Sequence, residues 1–146
     1  MSPAEFIKTW KKVQLGERQA AQSHFNDLCD MLGQEKPAHA DPEGVEFCFE
    51  KGTSKRGGSE GWADVWKKGH FAWEYKGKHK DLKTALTQLE GYRVALENPP
   101  LLVVCDLGRI EIHTNFTNSP ERTIQIPLEE LGSSSNLQTL RGLLEF

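Results

Sequence analysis

Apolar residues recur along this chain with two different periods, and each change of period marks an element. Ser2-Pro3 opens a short helix carrying Phe6, Ile7 and Trp10, since proline suits a first helical turn. Over residues 17–32 the apolar positions Ala21, Phe25, Leu28 and Leu32 fall at steps of four, three and four. That spacing predicts one face of a second helix, stopped by Gly33. Over residues 45–51 the period drops to two: Val45, Phe47 and Phe49 alternate with Glu46, Cys48 and Glu50, as in a strand. The Gly/Ser-rich stretch 52–61 (GTSKRGGSEG) predicts a loop. Residues 62–66 and 70–76 then pattern as a hairpin around Lys67-Lys68-Gly69.

Asp81 is a suitable N-cap for a third helix with Leu82, Leu86, Leu89 and Leu96 on one side, ended by Pro99-Pro100. Residues 101–105 (LLVVC) are continuously apolar, as expected of a strand buried on both faces. Gly108 turns the chain into a strand over 109–114, residues 123–126 add an edge strand before Pro127, and a helix over 137–144 closes the chain. The order is helix, three strands, helix, strand. The helix between the third and fourth strands predicts a parallel right-handed crossover beside an antiparallel meander. The expected fold is therefore α/β, a mixed sheet with helices packed on it.

The 146 residues suffice for one domain with a core. We read residues 1–15 and 128–146 as helical extensions at its two ends. No apolar run reaches the roughly 20 residues of a membrane-spanning helix, and no signal-peptide apolar region opens the chain, so a cytoplasmic location is expected. The three cysteines, Cys29, Cys48 and Cys105, have no CxxC spacing. They read as structural thiols of a reducing compartment rather than a disulfide frame or zinc site. The five histidines show no ligand spacing either. The net charge of −3 hides an asymmetry: residues 51–93 carry ten Lys/Arg and five Asp/Glu. A basic middle in an acidic chain suits a phosphate-facing patch, although charge alone is more often a solvated surface.

The hairpin carries the candidate chemistry. A three-residue loop ending in Gly69 would pair Trp66 with His70 and Asp64 with Ala72. Trp62, Asp64 and Trp66 would then share a face with Ala72, Glu74 and Lys76. Ala63, Val65, Phe71, Trp73 and Tyr75 would form the opposite, apolar face. Asp64 and Glu74 become diagonal neighbours, about 7–8 Å apart or less. Two carboxylates so placed can hold a hard divalent ion, and Lys76 can orient a water or stabilise charge developing on a phosphodiester. A lone Glu-x-Lys is usually a surface ion pair; an aspartate nine residues upstream across a hairpin is a more specific pattern. Gln88 and Tyr92, four apart on the next helix, share a face. Glu17 reads as a first-turn charge favouring the helix dipole, with a metal-facing role as the lesser alternative.

These residues resemble the PD-(D/E)xK nuclease superfamily, whose core has the same element order. Asp64, Glu74-Tyr75-Lys76 and Gln88-x-x-x-Tyr92 match its metal-binding aspartate, its Glu-x-Lys and the Gln-x-x-x-Tyr motif of one branch. Ala63 stands where a proline is usual. Residues 17–33, 61–76, 88–104 and 113–117 further resemble the N-terminal nuclease domain of MmeI-like type IIL restriction–modification enzymes. The resemblance implies a restriction-endonuclease-like core and a phosphodiester hydrolase acting on double-stranded DNA. It implies Mg²⁺ as cofactor, with Mn²⁺ able to substitute. Asp64, Glu74, Lys76 and Gln88 would be catalytic, Asp64 and Glu74 metal-binding, and Glu17 and Tyr92 supporting. Lys67, Lys68, Lys78 and Lys80 are candidate phosphate contacts. Methyltransferase and target-recognition domains are expected in a longer parent polypeptide. The competing expectations are a repair or recombination nuclease of the same fold and a non-catalytic DNA-binding or interaction module.

Overall fold

The computed structural model describes residues 1–13, 17–52, 61–77, 81–116 and 118–145, and for 17–19 the backbone alone. Helix α1 (Pro3–Lys12) starts where Ser2 Oγ accepts the amide of Glu5 at 3.1 Å. Helix α2 (Glu17–Leu32) ends at Gly33, whose φ of 71° lets the amide of Gln34 turn back to the carbonyl of Cys29. A short helix α3 (Pro37–Ala40), not foreseen from the pattern, precedes strand β1 (Phe47–Lys51). Strands β2 (Ala63–Lys67) and β3 (Phe71–Tyr75) form the hairpin, and helix α4 (Leu82–Gly91) crosses to β4 (Leu101–Cys105). Strands β5 (Arg109–Thr114) and β6 (Thr123–Pro127) and helix α5 (Ser134–Glu145) follow.

All six strands lie in one sheet in chain order, antiparallel except for the β3–β4 pair. The mixed sheet and the helical crossover are those expected. Helix α4 covers one face, where Trp66, Ala72, Leu102 and Val104 meet Leu82, Ala85 and Leu89. Helices α1, α2 and α5 cover the other, where Phe25 and Leu28 meet Val65, Trp73, Val103 and Ile112. No helix among the described residues is long and apolar enough to cross a membrane.

Several boundaries differ from the sequence pattern for identifiable reasons. Strand β1 begins at Phe47 and leaves Val45 exposed, because Asp41 Oδ2 accepts the amides of Glu46 and Phe47 at 2.7 and 2.9 Å. The hairpin loop is Lys68-Gly69-His70: Lys67 pairs with Phe71, and Gly69 takes φ 74° in the turn closed by the His70 amide on the Lys67 carbonyl. Helix α4 stops at Gly91 instead of continuing to Leu96. The chain turns there so that Leu96 enters the core and its carbonyl takes the buried indole N–H of Trp66 at 2.9 Å. Helix α5 starts three residues earlier than its apolar pattern, because Ser133 caps it through the amide of Asn136. Residues 53–60 of the Gly/Ser-rich segment lie outside the described residues.

The face covered by α1, α2 and α5 is centred on Phe25, whose ring meets those of Phe47, Phe49, Phe71 and Trp73 at centroid distances of 5.1–6.1 Å. Phe25→Ala should therefore lower the unfolding free energy by about 3–5 kcal/mol, measured by urea denaturation. A loss below about 1 kcal/mol would show that this aromatic cluster does not organise the core.

Candidate functional site

The hairpin register differs from expectation by two residues. Val65 lies opposite Trp73, Trp66 opposite Ala72, and Lys67 opposite Phe71. A shift of two preserves the face of each paired side chain, and one further step of the same register would bring Asp64 opposite Glu74 rather than on a diagonal. The ladder itself ends at Val65 and Trp73, whereas β3 stays paired with β4 through Tyr75 and Cys105. Strand β2 thus leaves β3 beside Asp64.

Two features accompany that departure. Across from Asp64 on β1, between the pairs Phe49–Val65 and Lys51–Ala63, Glu50 adopts a left-handed φ of 52°. Beyond it, Ala63 packs with Trp66 and Ala72 on the α4 side, not with Val65 as alternation predicted, and the Lys51 ammonium sits 4.1 Å from the Trp66 ring centroid. A local twist of this kind re-aims the side chain at its centre. Asp64 Oδ2 accepts the backbone N–H of Tyr75 at 2.8 Å. The amide that the ladder would have given to residue 63 is therefore satisfied by a carboxylate. Glu74 is buried, at 5% exposure, and Asp64 and Lys76 are half-buried. The amide of Lys76 donates to the carbonyl of Cys105 at 2.8 Å, extending the β3–β4 pairing past Glu74.

Of the supporting candidates, Gln88 lies half-buried on α4. Tyr92 is the C-cap of that helix, with φ −103° and ψ 14°. Its ring leans on Trp62 at 6.4 Å, beside the cluster under α4. Glu17 is the first residue of α2, and its side chain lies outside the described residues. Lys67 does not face Glu74. Its ammonium sits on the opposite side of the sheet, hydrogen-bonded to the carbonyl of Leu144 and 5.1 Å from the Phe47 ring centroid. Lys68 is exposed at the hairpin turn, 3.9 Å from Glu97. Lys78 and Lys80 lie outside the described residues.

Two polar groupings carried no signal in the one-dimensional pattern. Behind the hairpin, the Tyr75 hydroxyl and His24 Nδ1 are 2.8 Å apart, both residues fully enclosed. Burial pushes the His24 imidazole down to about 3 and raises the Tyr75 phenol, so both are neutral. On the far flank of α4, Glu111 on β5 meets His113, Arg109 and Gln125, each at 3.3 Å. Strand alternation placed these residues on one face but could not show that they meet.

Helix, three strands, helix and strand around a site at the parting of β2 and β3 define a restriction-endonuclease-like α/β core. The chain belongs to the MmeI N-terminal domain family, whose model matches residues 1–144, and is in that sense a domain related to restriction–modification. No curated protein and no solved structure matches it.

The neutral His24 has a consequence for stability. Its pKa falls from 6.5 to about 3 on folding. Below pH 6.5 the unfolded chain therefore binds a proton that the folded chain refuses, and stability declines as pH falls through that window. His24→Gln keeps a hydrogen-bonding group without this linkage. Its cost relative to wild type, from urea unfolding, should shrink by about 2 kcal/mol between pH 7.5 and pH 5. A cost that does not change with pH would mean His24 is protonated in the fold.

Proposed function

We propose that this chain is the DNA-cleaving domain of a restriction–modification enzyme, a Mg²⁺-dependent endonuclease acting on double-stranded DNA. What supports this is the end of the β2–β3 ladder at Val65 and Trp73, where the Asp64 carboxylate accepts the Tyr75 amide at 2.8 Å, one residue along from the buried Glu74 and one before Lys76. Facing carboxylates repel one another unless a cation or shared proton lies between them. Their hard oxygens suit Mg²⁺ or Mn²⁺ rather than an ion that seeks thiolate. Among the described residues, no group of three or more His, Cys, Asp or Glu side chains could hold a metal. An ion held by this pair would take its remaining ligands from other oxygens, water and phosphate among them, as magnesium commonly does.

Bound there, the ion would neutralise charge on the phosphoryl group and lower the pKa of a coordinated water. The chain's own residues do the rest. Asp64 and Glu74 present the donors, and the Tyr75 amide holds one Asp64 oxygen in place. Lys76 follows Glu74 by two residues, so its ammonium can meet charge that develops as water attacks phosphorus. Gln88, half-buried on the helix covering this face, can orient the water or a phosphate oxygen by hydrogen bonding. No recognition helix with clustered Arg, Asn and Gln is legible in the sequence, so DNA specificity is assigned to other domains of a parent polypeptide, the methyltransferase and target-recognition regions. A cytoplasmic enzyme fits this assignment.

The test is incubation of supercoiled plasmid with the 146-residue chain in Mg²⁺ or Mn²⁺. Slow nicking with little sequence preference is expected, since phosphate contacts alone give dissociation constants on the order of 10⁻⁴ to 10⁻⁶ M. Discrete, reproducible fragments would place sequence recognition within this chain and overturn the assignment to other domains.

Glu74→Ala should abolish Mn²⁺ binding by calorimetry and slow cleavage at least about a hundredfold, roughly 2.7 kcal/mol in barrier. Asp64→Ala should do the same to cleavage but also cost about 1 kcal/mol of stability, because it strands the Tyr75 amide. Wild-type cleavage by either variant would sink the assignment. Lys76→Ala should lose turnover yet retain metal and DNA binding, since its contribution belongs to the transition state. An equal loss of DNA affinity and rate would make Lys76 a phosphate contact instead.

A further inference from the structure

Strand β3 is held unequally at the site. On its β4 side it is paired through Tyr75 and Cys105 and again by the Lys76 amide. On its β2 side the ladder stops at Trp73, and the Tyr75 amide meets only a side chain, Asp64. A strand paired along one edge can rotate about its own axis, and rotation at Tyr75 would swing Glu74 and Lys76, its two neighbours, away from Asp64. Tyr75 points to the other face of the sheet. Its ring is fully enclosed there, and its hydroxyl is 2.8 Å from His24 Nδ1 on α2. His24 is itself clamped: its ring stands edge-on to Phe6 at 5.1 Å, Trp10 at 4.9 Å and Tyr75 at 5.3 Å. Trp10 is fixed in turn by its indole N–H on Asp27 Oδ2 at 3.1 Å.

We propose that Tyr75 and His24 are positioning residues of the candidate metal centre: their hydrogen bond, made behind the sheet, sets the rotation of β3 that keeps Glu74, Lys76 and the Tyr75 amide turned toward Asp64. This rests on the nuclease function proposed above. Packing alone would be served by an apolar residue at position 75. A buried phenol and a buried imidazole are each costly unless they meet with good geometry, so the pair admits few orientations of the strand. Helix α1 becomes part of the site's support, because two of its rings hold His24.

Two variants test this. Tyr75→Phe keeps the ring and removes the hydroxyl. His24→Phe/Tyr75→Phe removes both polar partners, so neither is stranded by loss of the other. Tyr75→Phe should bind Mn²⁺ about tenfold more weakly and lower kcat about tenfold at unchanged KM for DNA. The double variant should recover thermal stability toward wild type, since neither member of the pair is left without the other, yet keep the loss in metal affinity and kcat. If metal affinity and kcat return together with stability, the pair is packing only and the proposal fails. The amide of residue 75 gives a readout independent of metal and cleavage. Its hydrogen exchange should quicken at least about tenfold in Tyr75→Phe, with β4 and β5 amides unchanged. Unchanged exchange there would overturn the positioning role even in a chain that cleaves DNA. A wild-type chain that neither binds Mn²⁺ nor nicks plasmid would sink the nuclease assignment, and this inference with it, whatever the exchange rates.

Discussion

Where β2 leaves β3, the amide of Tyr75 has no strand carbonyl to meet, and the carboxylate of Asp64 takes it. A half-buried amide left without a partner would cost about 1–3 kcal/mol, so the strands can part only because that side chain is there. The contact does two things at once. It ends the β2–β3 ladder without a penalty, and it fixes an acidic group beside Glu74. The left-handed Glu50 and the turning of Ala63 toward α4 belong to the same distortion, since a sheet that opens on one side must twist next to the opening.

The two faces of the sheet divide the labour around that point. The face under α1, α2 and α5 is aromatic and closed, built on Phe25 and its ring contacts, and it carries the neutral His24–Tyr75 pair. The face under α4 is apolar near the hairpin turn, where Trp66 donates to Leu96, and becomes acidic toward the end of β3. Strand alternation joins them: Glu74 and Lys76 lie on the open side because Trp73 and Tyr75 are anchored on the closed side. Rigid packing on one face therefore serves the chemistry proposed for the other. Lys67 belongs to the closed face through Leu144 and Phe47, which explains why a lysine beside the candidate centre does not reach it.

The order of the principal helices and strands and the parallel crossover were legible in the chain. Periods of 3.6 and 2, an Asp81 cap and a continuous apolar strand are local signals, and local propensity and global fold agree here. Membership of the MmeI N-terminal domain family was legible in the residues around the hairpin and α4. Only tertiary structure decided the rest. The hairpin loop lies one residue further along than its pattern suggested, with Gly69 at a positive φ in a turn closed by the His70 amide, and the paired register is shifted by two. Helix α4 ended at Gly91, and the chain beyond it carries the Leu96 carbonyl to the buried Trp66 indole. His24 and Tyr75, 51 residues apart, meet only when α2 is laid across the sheet. Within the regular strands and helices the sequence by itself determined which residues face which side, because side-chain direction follows from backbone period; Ala63, at the distorted end of β2, departs from it. Which of them touch was settled only in three dimensions, since buried hydrogen-bonding groups take partners by position in space, without regard to distance along the chain.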